Sequence, residues 1–354
     1  MLEDGLVIKY LGSKRTLVPL IGKLAAASGA SSALDLFTGT TRVAHALKTA
    51  GMKVTAVDTA SYSKVFADTW IALDKDTVPV SELSDAIKHL ATLPGESGYF
   101  TQSFCLDARY FQPHNGERID AIRNAIETDY RGSWLYEPLL AALILAADKV
   151  DSTTGMQMAY LKQWSKRSFN QLKLSAPELL PGTGTSLMGD AVEISRTLPP
   201  VDLAYLDPPY NQHRYFGNYH IWETLVRWDA PETYGIANKR IDVRGADNRS
   251  AFNSKRTMPA AVADLVASVR AETLILSYNN ESWLSKDELI AICASKGEVA
   301  VIDVDFQRYI GSQIGIYNKQ GAKVGAPGRS RNLEHLVIAG DKQTVRRMIA
   351  AGKS

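Results

Sequence analysis

The chain has 354 residues, 45% of them hydrophobic, a net charge of +2 and a pI near 8.3. That length allows two domains, or one domain carrying a large insertion, around a sizeable core. The charge is too mild to identify a polyanion-binding protein, so any such function has to be read from local clusters.

Two cysteines, Cys105 and Cys293, offer neither a disulfide framework nor a zinc pattern. The six histidines (His45, His89, His114, His213, His220, His335) show no ligand spacing, so no metal is expected. Met1 to Asp4 is acidic where a signal peptide is basic, and the most apolar run, Pro138 to Ala147, is too short to span a bilayer. A cytoplasmic protein with no membrane partner is expected.

Leu6 to Tyr10 reads as a lead-in, followed by a Gly-Ser turn and the basic pair Lys14-Arg15. Thr16 can start a helix to about Ala27, with Leu17, Leu20, Ile21 and Leu24 on one face. Ala33 to Phe37 reads as a strand, Thr38-Gly39-Thr40 as a tight turn, and a helix follows through Leu47 to Gly51. Lys53 to Val57 is a second strand, ending in Asp58. A glycine turn lets a ligand approach the backbone, and an acid ending the next strand suits ribose hydroxyls. A dinucleotide site shares this logic, but its Gly-x-Gly-x-x-Gly fingerprint is missing.

A helix is expected from about Ser63 to Leu73, and beyond it the strand signals fade. Val80 to Leu90, Arg118 to Ile126, Pro138 to Lys149 and Met156 to Trp164 all read as helical. So long a helical block does not belong to a simple alternating sheet and reads as an insertion. Within it, Leu161 to Phe169 is basic with interleaved aromatics, and Lys162 and Lys166 lie four apart on one helical face beside Arg167. Such a run is a solvated face or, in a DNA-binding protein, a phosphate contact.

Leu187-Met188-Gly189-Asp190 follows a flexible joint, with Asp190 able to cap a helix toward Glu193. Asp202 to Leu206 reads as a buried strand that two prolines stop abruptly, presenting Asp207-Pro208-Pro209-Tyr210 at its carboxyl end. An exocyclic nucleobase amine is a poor nucleophile because its lone pair is delocalised into the ring. Hydrogen bonds from that amine to Asp207 and to the Pro208 carbonyl would draw the nitrogen toward tetrahedral geometry, and Tyr210 would stack on the base. Tyr219 to Trp228 reads as a helix. Pro231 to Lys255 has little periodicity but carries Lys239, Arg240, Arg244 and Arg249, and reads as a functional or disordered segment or, in a DNA-binding protein, a loop that orders on DNA. Helix and strand then alternate to Glu334–Ala339, with a glycine-rich basic excursion from Arg308 to Arg331.

The chain resembles the N6-adenine DNA methyltransferases that use S-adenosyl-L-methionine (SAM), in particular the FokI-type modification methylases and DNA adenine methylases. The resemblance rests on Lys9-Tyr10-Leu11-Gly12-Ser13-Lys14, Asp35 to Thr41, Asp207 to Tyr210 and Asn218-Tyr219-His220. Ser277-Tyr278-Asn279 and Arg331 to Leu336 extend it. Thr41 departs from it, standing where a second glycine often sits.

The resemblance implies a doubly wound, mixed, Rossmann-like α/β sheet formed by residues 1–78 and 186–354, with 79–185 an inserted target-recognition region. It implies Asp207, Pro208, Pro209 and Tyr210 as catalytic, and Lys9, Tyr10, Lys14, Asp35, Phe37, Gly39, Thr40, Asp58 and Asp190 around SAM. Lys162, Lys166, Arg167, Lys239, Arg240, Arg244 and Arg249 are the expected contacts to double-stranded DNA. A restriction endonuclease is a possible partner, and monomer or dimer is left open. Other readings are an N4-cytosine or RNA amino-methyltransferase, or a non-catalytic DNA-binding regulator on the same fold.

Overall fold

The computed structural model describes residues 8–10, 12, 14–210, 212, 215–245, 250–307, 316–317, 323–325 and 331–353. Arg249, the start of the lead-in at Leu6 and most of the Arg308 to Arg331 excursion lie outside the described residues. The main strands are β1 (Ser32–Leu36), β2 (Lys53–Asp58), β3 (Thr185–Met188), β4 (Val201–Leu206), β5 (Ala271–Asn279), β6 (Glu298–Gln307) and β7 (Arg331–Gly340). They follow the order β3-β2-β1-β4-β5-β7-β6 in one mixed, mostly parallel sheet. Only β7 is shown antiparallel to its neighbours, β5 and β6.

Two compact units divide the chain. One comprises Lys14–Phe37, Ala191–Gln212 and Ser250–Ser354. Its central strands read as continuous apolar runs because both faces are covered: Leu203 to Leu206 and Leu274 to Leu276 are buried throughout. The helix Val18–Ser28 ends where Gly29 turns left-handed at φ 79°, and it packs against a last helix, Lys342–Lys353, that the strand pattern did not announce. At the start of β4, Asp202 accepts the Ser31 and Ser32 amides at 2.8 and 2.9 Å and the Ser31 hydroxyl at 2.7 Å, fixing its register with β1. Ser285 and Glu288 form a full capping box on the helix Lys286–Cys293.

The other unit comprises Met1–Ser13, Thr38–Asp190 and His213–Arg249. It holds β2 and β3 in parallel register, Asp58 opposite Met188. The expected helices appear as Val80–Thr92, Pro113–Ala125 and Tyr136–Val150, the last buried along nearly its whole length as its unbroken apolar sequence requires. Ser61–Ala67 continues as a π-helical turn over Asp68–Ala72. The buried Lys48 ammonium satisfies carbonyls there, reaching those of Trp70, Ile71 and Leu73 at 3.1, 2.9 and 2.6 Å.

Two expectations are corrected in this unit. Met156 to Trp164 forms turns and bends instead of a helix. Its backbone is spent on tertiary hydrogen bonds: the Gln157 amide donates to the Asn218 carbonyl at 2.7 Å, and the Gln157 side chain accepts the Ile221 amide at 2.8 Å. Pro231 to Gly245 is no open loop but a hairpin, Thr233–Tyr234 against Lys239–Arg240, followed by the short turn Ile241–Arg244.

Candidate functional site

The acceptor-side residues fall in the unit that begins at Lys14. β4 delivers Asp207 at its carboxyl end, with Pro208 buried and Pro209 and Tyr210 half-buried. The Lys14 ammonium lies 2.9 Å from Asp207 Oδ1 and 2.5 Å from Glu334 Oε1. Burial raises the Asp207 carboxyl to about 6, Lys14 opposes that rise, and the Glu334 carboxylate adds to it. Burial works against the charge on Lys14, but Asp207 and Glu334 outweigh it and hold the ammonium well above its ordinary range. Tyr210 meets Tyr278 edge-on at 5.9 Å, and the Lys14 ammonium sits 5.8 Å from the Tyr210 ring centre. Asp35 is buried on β1, and Phe37, with φ 67°, packs edge-on against Phe252 at 5.2 Å.

The remaining expected donor residues fall in the other unit. The turn after β1 is tightly wound: Gly39 (φ 53°) and Thr41 (φ 61°) both occupy the left-handed region. That is unusual for a β-branched threonine and is where the resemblance expects glycine. Asp58 organises this turn. Its Oδ2 accepts the Gly39 amide at 2.8 Å and its Oδ1 the Ala60 amide at 2.9 Å. Gly39 faces Tyr10 so closely that a Cβ there would stand 3.1 Å from the ring. Tyr10 in turn stacks on Tyr219 at 4.7 Å and on Tyr215 at 5.5 Å. Thr40 is buried beside this turn. The Gly189 amide donates to the Asp58 carbonyl at 2.9 Å, so the ends of β2 and β3 bring Asp58 and Asp190 to the same end of that strand pair. Asp190 is exposed and directly precedes the helix Ala191–Thr197.

The two lysines expected beside the donor are both ion-paired. Lys14 serves Asp207, as described. Lys9 lies on an acidic pair at the end of the helix Tyr136–Val150, 2.8 Å from Asp148 and 3.4 Å from Asp151. Burial holds the Asp148 carboxyl up at about 6 against the pull of Lys9.

The basic residues divide by burial. Lys162, Lys166 and Arg244 are exposed, with Arg244 stacked 3.8 Å over the Tyr234 ring. Lys162 and Lys166 do not share a helical face, since Lys166 instead starts a short turn to Phe169. Lys239 is half-buried. Arg167 is bound to Asp151 and to the Thr153 carbonyl. Arg240 is 2% exposed and reaches both Asp229 oxygens at 2.7 Å and Asp242 at 2.9 Å, so it anchors the hairpin from within. Glu334 and Ser277 carry no role that the sequence signals, although both lie in late blocks of the resemblance.

A family model for D12 class N6 adenine-specific DNA methyltransferases matches residues 10–292. The chain belongs to this family. It is 30% identical to the modification methylase StsI of Streptococcus sanguinis, over 84% of this chain and 48% of that protein. Identity is also 30% to the type II methyltransferase M.NlaIII of Neisseria lactamica, over 78% of this chain and 83% of that one. With M.FokI of Planomicrobium okeanokoites it is 28%, over 82% and 47%. The chain thus spans about half the length of the StsI and FokI enzymes. The matched residues include Tyr10, the Gly39 turn, Asp58, Asp190 and Asp207 to Tyr210.

Proposed function

We propose that the chain is a site-specific DNA methyltransferase acting on N6 of adenine in duplex DNA, with SAM as methyl donor. The observation that carries this reading is the family's Asp207-Pro208-Pro209-Tyr210 at the end of β4, with Asp207 Oδ1 2.9 Å from the Lys14 ammonium. SAM supplies one thing, an electrophilic methyl group on a sulfonium.

The chain supplies the rest. The Asp207 carboxylate and the Pro208 carbonyl accept the two hydrogens of the adenine amine and localise its lone pair. Tyr210 covers the face of the base. Once the new N–C bond forms, the nitrogen carries one proton too many, and Asp207, with its carboxyl raised to about 6, is the base already hydrogen-bonded to it. The target base must leave the duplex stack for this to happen.

On the donor side, Gly39 keeps the backbone bare for close approach, at a left-handed φ of 53° that disfavours a side chain and where a Cβ would crowd Tyr10 at 3.1 Å. Asp58 uses two of its lone pairs on the turn and keeps others for ribose hydroxyls. Asp190 would read the donor's adenine, and Tyr10 and Thr40, in the same unit as Asp58, would flank the donor; Asp35 and Phe37 are assigned to it by the resemblance alone. The helical segment 79–185 carries target recognition. Lys162, Lys166, Lys239 and Arg244 contact DNA. A cognate restriction endonuclease is the natural partner of such an activity, in the cytoplasm.

The test is to incubate the chain with SAM and genomic DNA, digest to nucleosides and identify the methylated base by mass spectrometry. N6-methyladenine supports the reading, whereas N4-methylcytosine, or product in RNA alone, replaces it.

A further inference from the structure

The late blocks around Ser277 and Glu334 have no role in the account above, yet Glu334 reaches a buried cation and Ser277 reaches Glu334. Lys14 Nζ is 2.9 Å from Asp207 Oδ1 and 2.5 Å from Glu334 Oε1. The Ser277 hydroxyl donates to that same Glu334 oxygen at 2.6 Å. Adjacent antiparallel strands hold these two partners, with Ser277 opposite Leu336 and Glu334 opposite Asn279. Lys14 is set from the other side, its carbonyl accepting the Leu17 and Val18 amides at 2.8 Å as the first helix begins. Glu334 is 1% exposed and Lys14 7%.

One buried ammonium therefore stands between two carboxylates, an arrangement that costs more desolvation than a simple pair. A simple pair would also work against the reaction. An ammonium held by Asp207 alone would close on the oxygen that the adenine amine needs. Glu334 is the shorter of the two contacts, so the ammonium has somewhere to stay when Asp207 turns to the substrate.

We propose that Glu334 is a positioning residue for the reaction: it retains Lys14 so that the ammonium keeps Asp207 ionised while leaving that carboxylate able to accept the incoming amine. This rests on the amine-polarising role given to Asp207 above. Among the described residues, Tyr205, Tyr278 and Glu281 also face Asp207 or Tyr210.

The two halves of the device have opposite signatures. Lys14→Met leaves Asp207 with its burial and the Glu334 charge, so its titration moves up by about 1–3 pH units. The acid limb of kcat/KM moves up with it. Glu334→Gln keeps the shape and the Ser277 bond but removes the second negative charge, so Asp207 titrates lower. Lys14 then closes on Asp207, and kcat/KM at the pH plateau falls by about 10- to 100-fold, the worth of one charge-assisted hydrogen bond. A part merely needed for folding would not move the two titrations in opposite directions.

The experiment is carbon-13 NMR of the whole chain with labelled aspartate carboxyls, without DNA, identifying the Asp207 signal by its loss in Asp207→Asn. The kcat/KM pH profile on genomic DNA accompanies it. Upward movement in Lys14→Met, downward movement in Glu334→Gln and a lowered plateau in the latter are expected. Shifts in the same direction, or a Glu334→Gln enzyme with wild-type kcat/KM, overturn the proposal. Where Lys14→Met does not fold, the isosteric Glu334→Gln decides alone. A wild-type chain that methylates no DNA would defeat the proposed function, while the titrations would still judge the Lys14 device.

Discussion

Replacing Asp58 by Asn tests how the donor turn is held. One carboxylate accepts the Gly39 amide at 2.8 Å and the Ala60 amide at 2.9 Å, tying the turn after β1 to the end of β2. Asparagine offers a single acceptor oxygen, so its NH2 group must face one of these donors. An amide left unpaired there costs about 1–3 kcal/mol. If that cost falls on the ligand-binding conformation, donor affinity weakens about 5- to 150-fold, at roughly 1.4 kcal/mol per decade. Calorimetric titration with SAM measures the loss, thermal melting shows how much of the cost falls on stability, and DNA affinity should stay as in the wild type. A donor Kd within twofold of wild type, with an unchanged melting curve, would refute the role given to Asp58.

Three other outcomes are expected. Arg240→Met should lower the melting temperature without affecting donor binding. The Asp229 and Asp242 side chains are 40% and 36% exposed, so the loss is nearer about 1–3 kcal/mol than that of a fully buried pair; an unchanged melt would remove Arg240 as the hairpin's anchor. Asp202 is held down at about 2, first by the Ser31 hydroxyl and then by the Ser31 and Ser32 amides. Its folded pKa lies below the unfolded value of about 3.9, so its contribution is complete above that pH and is lost as pH falls toward 2. Asp202→Asn should therefore melt below wild type at neutral pH, with the gap closing near pH 2; a pH-independent gap would contradict this. Replacing Lys162 and Lys166 together with Ala should flatten the salt dependence of DNA binding by about two units, for cognate and unrelated DNA alike. An unchanged slope makes both a solvated face.

The strands were legible because they are short, buried and bounded. Ala33 to Phe37, Lys53 to Asp58 and Asp202 to Leu206 each emerge within a residue or two of the expected limits. Met156 to Trp164 was misread because its helical spacing is local, while Gln157 bonds across to Asn218 and Ile221, partners more than 60 positions away. Arg240 illustrates the same limit: sequence shows a cation in a basic stretch, and only the fold shows Asp229 and Asp242 closed around it. For the site, Asp207 to Tyr210 and the Gly39 turn could be found because their chemistry is contiguous. The assignment of Lys14 to Asp207 could not, since Glu334 lies 320 positions away from Lys14 and meets it only through the pairing of β5 with β7.

The most direct test of the central claim compares wild type with Asp207→Asn in methyl transfer from labelled SAM to duplex DNA, with nucleoside analysis of the product. The account predicts N6-methyladenine from wild type and a loss of roughly 10²–10³-fold or more in Asp207→Asn, with SAM affinity held within a few-fold. Turnover by Asp207→Asn near the wild-type rate would contradict it.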